Sequence, residues 1–260
     1  MCLPWGICTP DISAWLSWPT STLTRLSSLF FVNPTQFGPN EDFDNYPRTL
    51  DADLAALEHS DVALVFAPDV NTMYPLGSNK TWVDVDDLGD HLCGASRAGH
   101  FRGVSTVVTK LFNAVQPDVA VFGEKDYQQL AIIRRMTAEL LMPVTLIAAP
   151  THRESDGLAR SSRNGYLTAE ERRIAPLLYR TLQSIANALE QGAQDLNALT
   201  AGATVTLNHA GFRVDYLTIV NANTLAPADN NDSEIVVAAA AFIGRTRLID
   251  NIALRVERDR

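Results

Sequence analysis

A chain of 260 residues can bury a sizeable core, and its length suits two domains of modest size. Its formal net charge of -9 leaves no general basic field, which excludes nucleic acid or an anionic membrane as a partner held by charge alone. Three cysteines without paired spacing give no zinc site and fit a reducing compartment, so the cytoplasm is expected.

The first thirty residues, "MCLPWGICTPDISAWLSWPTSTLTRLSS" and the two that follow, stand apart as an aberrant head. They hold three of the four tryptophans and two of the three cysteines, with Asp11 and Arg25 as their charges. There is no basic start, and Pro4, Pro10 and Pro19 interrupt any helical apolar run. The head therefore reads as neither a targeting peptide nor a membrane span.

From residue 31 the rhythm is regular. "FFV" reads as a strand leading into "NPTQFGPNEDF", and "DVALVFAP" is a short apolar run bounded by breakers, as a buried parallel strand should be. "GVSTVVTKLFNAV" then places Val104, Val107, Val108, Leu111, Phe112 and Val115 at helical spacing. "PDVAVFGEKD", "YQQLAIIRRMTAELL" and "PVTLIAAP" continue as strand, helix and strand. This alternation predicts a Rossmann-like α/β domain over 31–160, a doubly wound parallel sheet with helices on both faces.

A smaller α+β domain is predicted over 161–260. Thr168 and Glu171 have capping-box spacing, Ile174, Leu178, Ile185 and Leu189 form an apolar stripe, and Gly192 can end that helix. "FRVDYLTIV", "SEIVVAAAAFIG" and "TRLIDNIAL" follow as strands joined by polar turns.

Four stretches carry the residue types that small-ligand chemistry needs. In open α/β sheets ligands sit beyond the carboxyl ends of strands, where helix N-termini offer unpaired N–H groups. "FGEKDYQQ" holds that position, with Gly123 allowing close backbone approach and Lys125 placing a cation where a phosphate would lie. Asp126 and Gln129 also have N-cap and N3 spacing, so helix capping is the alternative for them. "GLARSSRNGYL" offers the hydroxyls of Ser161 and Ser162 and the forked cation of Arg163, or else forms a plain turn. "NPTQFGPNEDF" offers Asn33 and Gln36 to a polar ligand or to turn chemistry. "GASRAGHFRG" sets Arg97, His100 and Arg102 before a helix, either to hold an anion or as a basic helix entrance with His100 packed.

Taken together and in this order, "FVNPTQFGPNEDFDNYPRTL", "FRGVSTVVTKLFNAVQPDVAVFGEKDYQQL" and "SSRNGYL" closely resemble the pantothenate synthetase family, from about Phe31 to the C-terminus. The resemblance implies a ligase that condenses pantoate with β-alanine, using ATP and Mg²⁺ bound through its phosphates. It implies Gly123, Glu124, Lys125 and Asp126 at ATP, Gln36 and Gln129 on pantoate, and Ser161, Ser162 and Arg163 on the phosphates. Asn33 and Arg97 would line the pantoate and β-alanine pocket, and no metal ligand set is implied. Ala98 stands where proline is usual, His152 where a small aliphatic residue contributes backbone at adenine, and Arg160 where an apolar residue is common. A homodimer is also implied, by the resemblance alone.

One departure is larger. The family carries a His-x-Gly-His signature after its first strand, and the five histidines here, His59, His91, His100, His152 and His209, lie elsewhere. Written as degenerate codons and read from the third base of the first codon, residues 1–13 permit Val-Pro-Thr-Met-Gly-Asn-Leu-His-Ala-Gly-His-Leu. The head is thus expected to be an out-of-frame translation, with the proper frame resuming near Phe30 and the true start upstream. Little or no turnover is expected of the chain as it stands. A pantoate- or nucleotide-binding protein without catalysis is the alternative reading, and a nucleotidylyltransferase acting on another acceptor is disfavoured by Gln36 and Gln129.

Overall fold

The computed structural model describes residues 25–38, 43–44, 46 and 48–257, so what the sequence predicts for the head lies outside the described residues, except at its last six positions. The chain divides into two compact units. The first comprises residues up to Gly89, Gly94–Glu124 and Gln129–His152, and the second Asp90–Cys93, Lys125–Gln128 and Arg153 onward.

In the first unit, β1 (Leu26–Leu29) pairs in parallel with β2 (Val62–Phe66), and β3 (Val119–Gly123) in parallel with β4 (Thr145–Ala149). The expected runs "DVALVFAP", "PDVAVFGEKD" and "PVTLIAAP" are thus strands, whereas "FFV" itself is not and the strand before it, β1, lies in the last residues of the head; among the described residues these strands form two separate parallel pairs. The helix His100–Val115 buries Val104, Val107, Val108, Leu111 and Phe112 at no more than 4 % exposure, the stripe its spacing predicts. Gln116 caps its end in the left-handed region at φ 50°. Phe112 meets Phe122 of β3 edge to face with centroids 6.3 Å apart. From the other side of the sequence, the helix Tyr127–Glu139 contributes Leu130, Ile133 and Met136, all buried. Each such side chain contributes roughly 1.5–3 kcal/mol by leaving water.

The second unit is an antiparallel sheet in the order β5 (Phe212–Asn221), β6 (Glu234–Ile243), β7 (Thr246–Arg255). Residues Ile235 to Ala241 of the middle strand are all buried. Their alanines let neighbouring elements approach closely. Leu178, Leu182, Ile185 and Leu189 of the helix Leu177–Glu190 pack with Ile219, Ile235, Val237 and Ala239 of the sheet. The capping box of Thr168 and Glu171 is present.

Two features differ from the sequence reading. The helix expected to run from Thr168 to Gly192 is two helices, Ala169–Ile174 and Leu177–Glu190, divided at Pro176, whose ring and missing N–H break the backbone ladder. A further helix, Leu196–His209, lies where no element is predicted. Its run of Thr, Ala and Gly carries little apolar periodicity, and its start is set by Asp195, whose carboxylate accepts from Ala198 N at 2.9 Å. Among the described residues no helix is long and apolar enough to cross a membrane.

Candidate active site

In the first unit the chain leaves β1 and makes a short turn, Pro34–Gln36, capped by Asn33. Asn33 is fully buried, and both ends of its amide are engaged. Its Oδ1 accepts from Thr35 N at 3.3 Å, Thr35 Oγ1 at 3.0 Å and the Tyr74 hydroxyl at 2.6 Å. Its Nδ2 donates to the Gly103 carbonyl at 3.2 Å and reaches Gln36 Oε1 at 3.4 Å. The turn is therefore clamped to the His100–Val115 helix through one side chain. Burial pushes the Tyr74 phenol above its ordinary value, with the Thr35 hydrogen bond opposing. Lys110 Nζ lies 3.9 Å over the same ring while donating to Met73 O, and burial pushes this ammonium down.

Arg97 and His100 converge on the backbone of Gln36. His100 Nδ1 lies 2.6 Å from Gln36 O, Arg97 Nη2 donates to the same oxygen at 3.4 Å, and Arg97 Nη1 lies 3.0 Å from His100 Nε2. Asn33, Gln36 and Arg97 are thus brought together. Arg102 is directed elsewhere, stacking over Trp82 at 4.7 Å. Gln129 lies half-buried near the start of the Tyr127–Glu139 helix.

The closeness of turn and helix depends on Gly103. A Cβ there would meet the carbonyl of Thr35, a backbone atom that cannot swing away. Gly103→Ala is expected to cost about 2–3 kcal/mol of stability, read as a lower urea midpoint, because the turn must shift off the helix. An unchanged midpoint would show that the two segments are not in contact.

Gly123 ends β3, and Glu124 to Asp126 follow as a single tight turn before the next helix. His152 lies just beyond β4 and is half-buried. Each of these stretches follows the carboxyl end of a parallel strand, where the sheet rule places ligands.

The second unit holds the other cationic group. Lys125 Nζ lies 3.8 Å from Asp126 Oδ1, and Asn251 Nδ2 donates to Lys125 O at 2.8 Å. Asp250, the preceding residue of β7, takes both guanidinium nitrogens of Arg153 at 2.7 and 2.9 Å. Arg153 also donates to Gly157 O at 3.1 Å and stacks 3.5 Å over Tyr179. Arg160 forks onto Glu154, both contacts being 3.3 Å. Ser161 then caps a turn, Ser162–Tyr166, accepting from Arg163 N at 3.3 Å, while Asn164 Nδ2 donates to Ala159 O at 3.0 Å. Two adjacent residues of β7 therefore hold Lys125 and Arg153, the latter opening the loop that runs on to Ser161. Arg172 sits 2.5 Å from Asp156, and that hydrogen bond holds the Asp156 carboxyl below its usual range.

The sequence reading did not single out Tyr74, Gly103, Asp250 or Asn251. For the last two a signal existed, since "LIDNIAL" inserts a polar pair into an apolar strand.

The pantoate-beta-alanine ligase family model matches residues 23–253. A pantothenate synthetase from Alcanivorax borkumensis is 64% identical over 230 residues, 88% of this chain and 81% of that protein. One from Pseudomonas putida is 59% identical over 228 residues, 87% of this chain and 79% of its own. Among solved structures, pantothenate synthetase from Thermus thermophilus superposes with a TM-score of 0.90 at 42% identity, covering 96% of this chain and 91% of that one. Pantoate-beta-alanine ligase from Francisella tularensis, complexed with beta-gamma ATP and beta-alanine, gives 0.78 at 31% identity, covering 96% and 88%. Matched by the family model and by these relatives across most of its length, the chain belongs to the pantoate-beta-alanine ligase family.

Proposed function

We propose that the protein condenses (R)-pantoate with β-alanine at the expense of ATP, giving pantothenate, AMP and diphosphate. The observation that carries this reading is the family match over residues 23–253, which takes in every residue assigned to substrate. In the first step the pantoate carboxylate attacks the α-phosphorus and diphosphate leaves, forming a pantoyl adenylate. In the second the neutral β-alanine amine attacks the activated carbonyl and AMP leaves.

A carboxylate approaching a polyphosphate is repelled, so catalysis is mainly neutralisation and alignment. Lys125 and Arg163 bring positive charge to the phosphates, and Ser161 and Ser162 bring oriented hydroxyl donors. These four groups are donors, and the nearby Asp126 carboxylate lies 3.8 Å from Lys125 Nζ, which suits a Mg²⁺ that the nucleotide carries on its own phosphates. Gly123, Glu124, Asp126, His152 and Arg160 would frame the rest of the nucleotide. Gln36 and Gln129 would hold the pantoate hydroxyl and carboxylate without adding charge, with Arg97 beside them. Asn33 would act on the pocket through the turn that it clamps, since its Oδ1 already accepts three hydrogen bonds.

The test is AMP release from pantoate, β-alanine and ATP, with pantothenate formed in equal amount. ADP as product, or release indifferent to pantoate, would overturn the reading. In the chain with its head rewritten in the shifted frame, Lys125→Ala is expected to lower kcat/KM about a hundredfold, the usual loss for one oriented donor to developing charge. A homodimer in the cytoplasm is proposed with it, and sedimentation velocity reads the former. We further propose that the head is translated out of frame up to about Phe30, as sequencing the DNA across that junction would establish.

A further inference from the structure

We propose that His100 is a positioning residue, fixing the backbone of Gln36 and the guanidinium of Arg97 in one relation before pantoate arrives. The inference rests on the reading that these two residues meet that substrate. Its Nδ1 lies 2.6 Å from Gln36 O, and a carbonyl can only accept, so Nδ1 carries the proton. Its Nε2 lies 3.0 Å from Arg97 Nη1, and a guanidinium can only donate, so Nε2 is the acceptor. A single species, the neutral Nδ1–H tautomer, satisfies both demands. Arg97 Nη2 closes the ring by donating to the same Gln36 oxygen at 3.4 Å.

The imidazole is itself held. It is the first residue of the helix His100–Val115, behind Gly99 at φ 77°, and its ring stands edge-on to the buried Phe101 with centroids 4.7 Å apart. The same helix receives Asn33 at Gly103 O, so both ends of the Pro34–Gln36 turn are referred to one rigid element. Gln36 therefore projects from a pinned peptide. Arg97, a side chain with many rotamers, has given up much of that freedom before ligand binds, which is how preorganisation raises affinity.

The two arms separate by substitution. His100→Asn places an amide nitrogen where Nδ1 stands and keeps the donation to Gln36. His100→Gln places its amide near Nε2 and reaches Arg97 alone. His100→Ala loses both. Titration calorimetry of (R)-pantoate into the full chain is expected to show about tenfold weaker binding for His100→Ala, recovery to within about threefold of wild type for His100→Asn, and little recovery for His100→Gln.

Alanine binding within about twofold of wild type, or asparagine no tighter than glutamine, would overturn the proposal. So would melting temperatures that fall while pantoate affinity of the folded protein stays put, the mark of a purely structural histidine. If His100→Ala fails to fold, the asparagine and glutamine variants decide on the same terms. Wild-type protein silent toward millimolar pantoate, with every variant equally silent, refutes the pantoate pocket itself and this proposal with it.

Discussion

Rewriting residues 1–30 in the alternative frame is expected to raise the rate of AMP release by about four orders of magnitude over the chain as it stands. The shifted reading restores Val-Pro-Thr-Met-Gly-Asn-Leu-His-Ala-Gly-His-Leu, and with it two imidazoles able to donate to phosphate oxygens as charge builds. Each such donor is worth about a hundredfold, and the pair acts at the same group. The same segment offers an apolar strand end to a parallel sheet whose described strands fall into two separate pairs.

β1 carries independent support. Ser28 is fully buried, and its hydroxyl has no hydrogen-bond partner, a state that costs about 1–3 kcal/mol. In the shifted frame a TCN serine codon contributes its first two bases to a codon ending in TC. Every such codon encodes Phe, Leu, Ile or Val, whatever the wobble base. The unpartnered hydroxyl would thus give way to an apolar side chain in a strand whose Leu26 and Leu29 are already core. The buried hydroxyl thus agrees with a shifted segment that runs through β1 (Leu26–Leu29) to about Phe30, and the rewritten protein should also melt higher. Equal turnover by the two polypeptides, or genomic DNA that does not spell the histidine signature in another frame, would end the idea.

Most of the fold is legible because its signals are local. "DVALVFAP" and "PVTLIAAP" are apolar runs ended by proline, and the helical spacing from Val104 to Val115 repeats over about three turns. The helix Leu196–His209 is not legible, since its stability comes from packing Ala203 and Leu207 into the second unit rather than from periodicity. The break at Pro176 is written in the sequence, but the apolar stripe on either side of it masks it. The turn Pro34–Gln36 and the loop around Ser161 can be named from residue types, but not how they are held. Asn33 reads as a ligand contact by type, and only tertiary structure shows its amide turned inward. The partners of Asp250 and Asn251 lie 97 and 126 residues away in sequence, beyond any local pattern.

That distant pair supplies the largest expected loss of stability. Asp250→Ala should destabilise the protein by about 3–5 kcal/mol, read as a fall in the urea midpoint at unchanged slope. The side chain of Asp250 is 3% exposed and that of Arg153 is 18% exposed, so removing the carboxylate strands a guanidinium that water reaches poorly. Arg153 remains stacked on Tyr179, which keeps it from swinging out to solvent. Asp250→Asn should cost less, because one hydrogen bond survives. The double variant Arg153→Met/Asp250→Leu should recover most of the loss, since the penalty lies in the unpaired charge more than in the absent bridge. Activity should not follow stability in that double variant. Arg153 begins the loop that ends in Ser161, Ser162 and Arg163, and Gly157 O and the bridge to Ala159 register that loop against it. Replacing the forked contact with an apolar one keeps the core filled but loosens the phosphate loop, so kcat should stay depressed about tenfold while the midpoint returns. If midpoint and kcat recover together, β7 merely supports the loop and does not aim it.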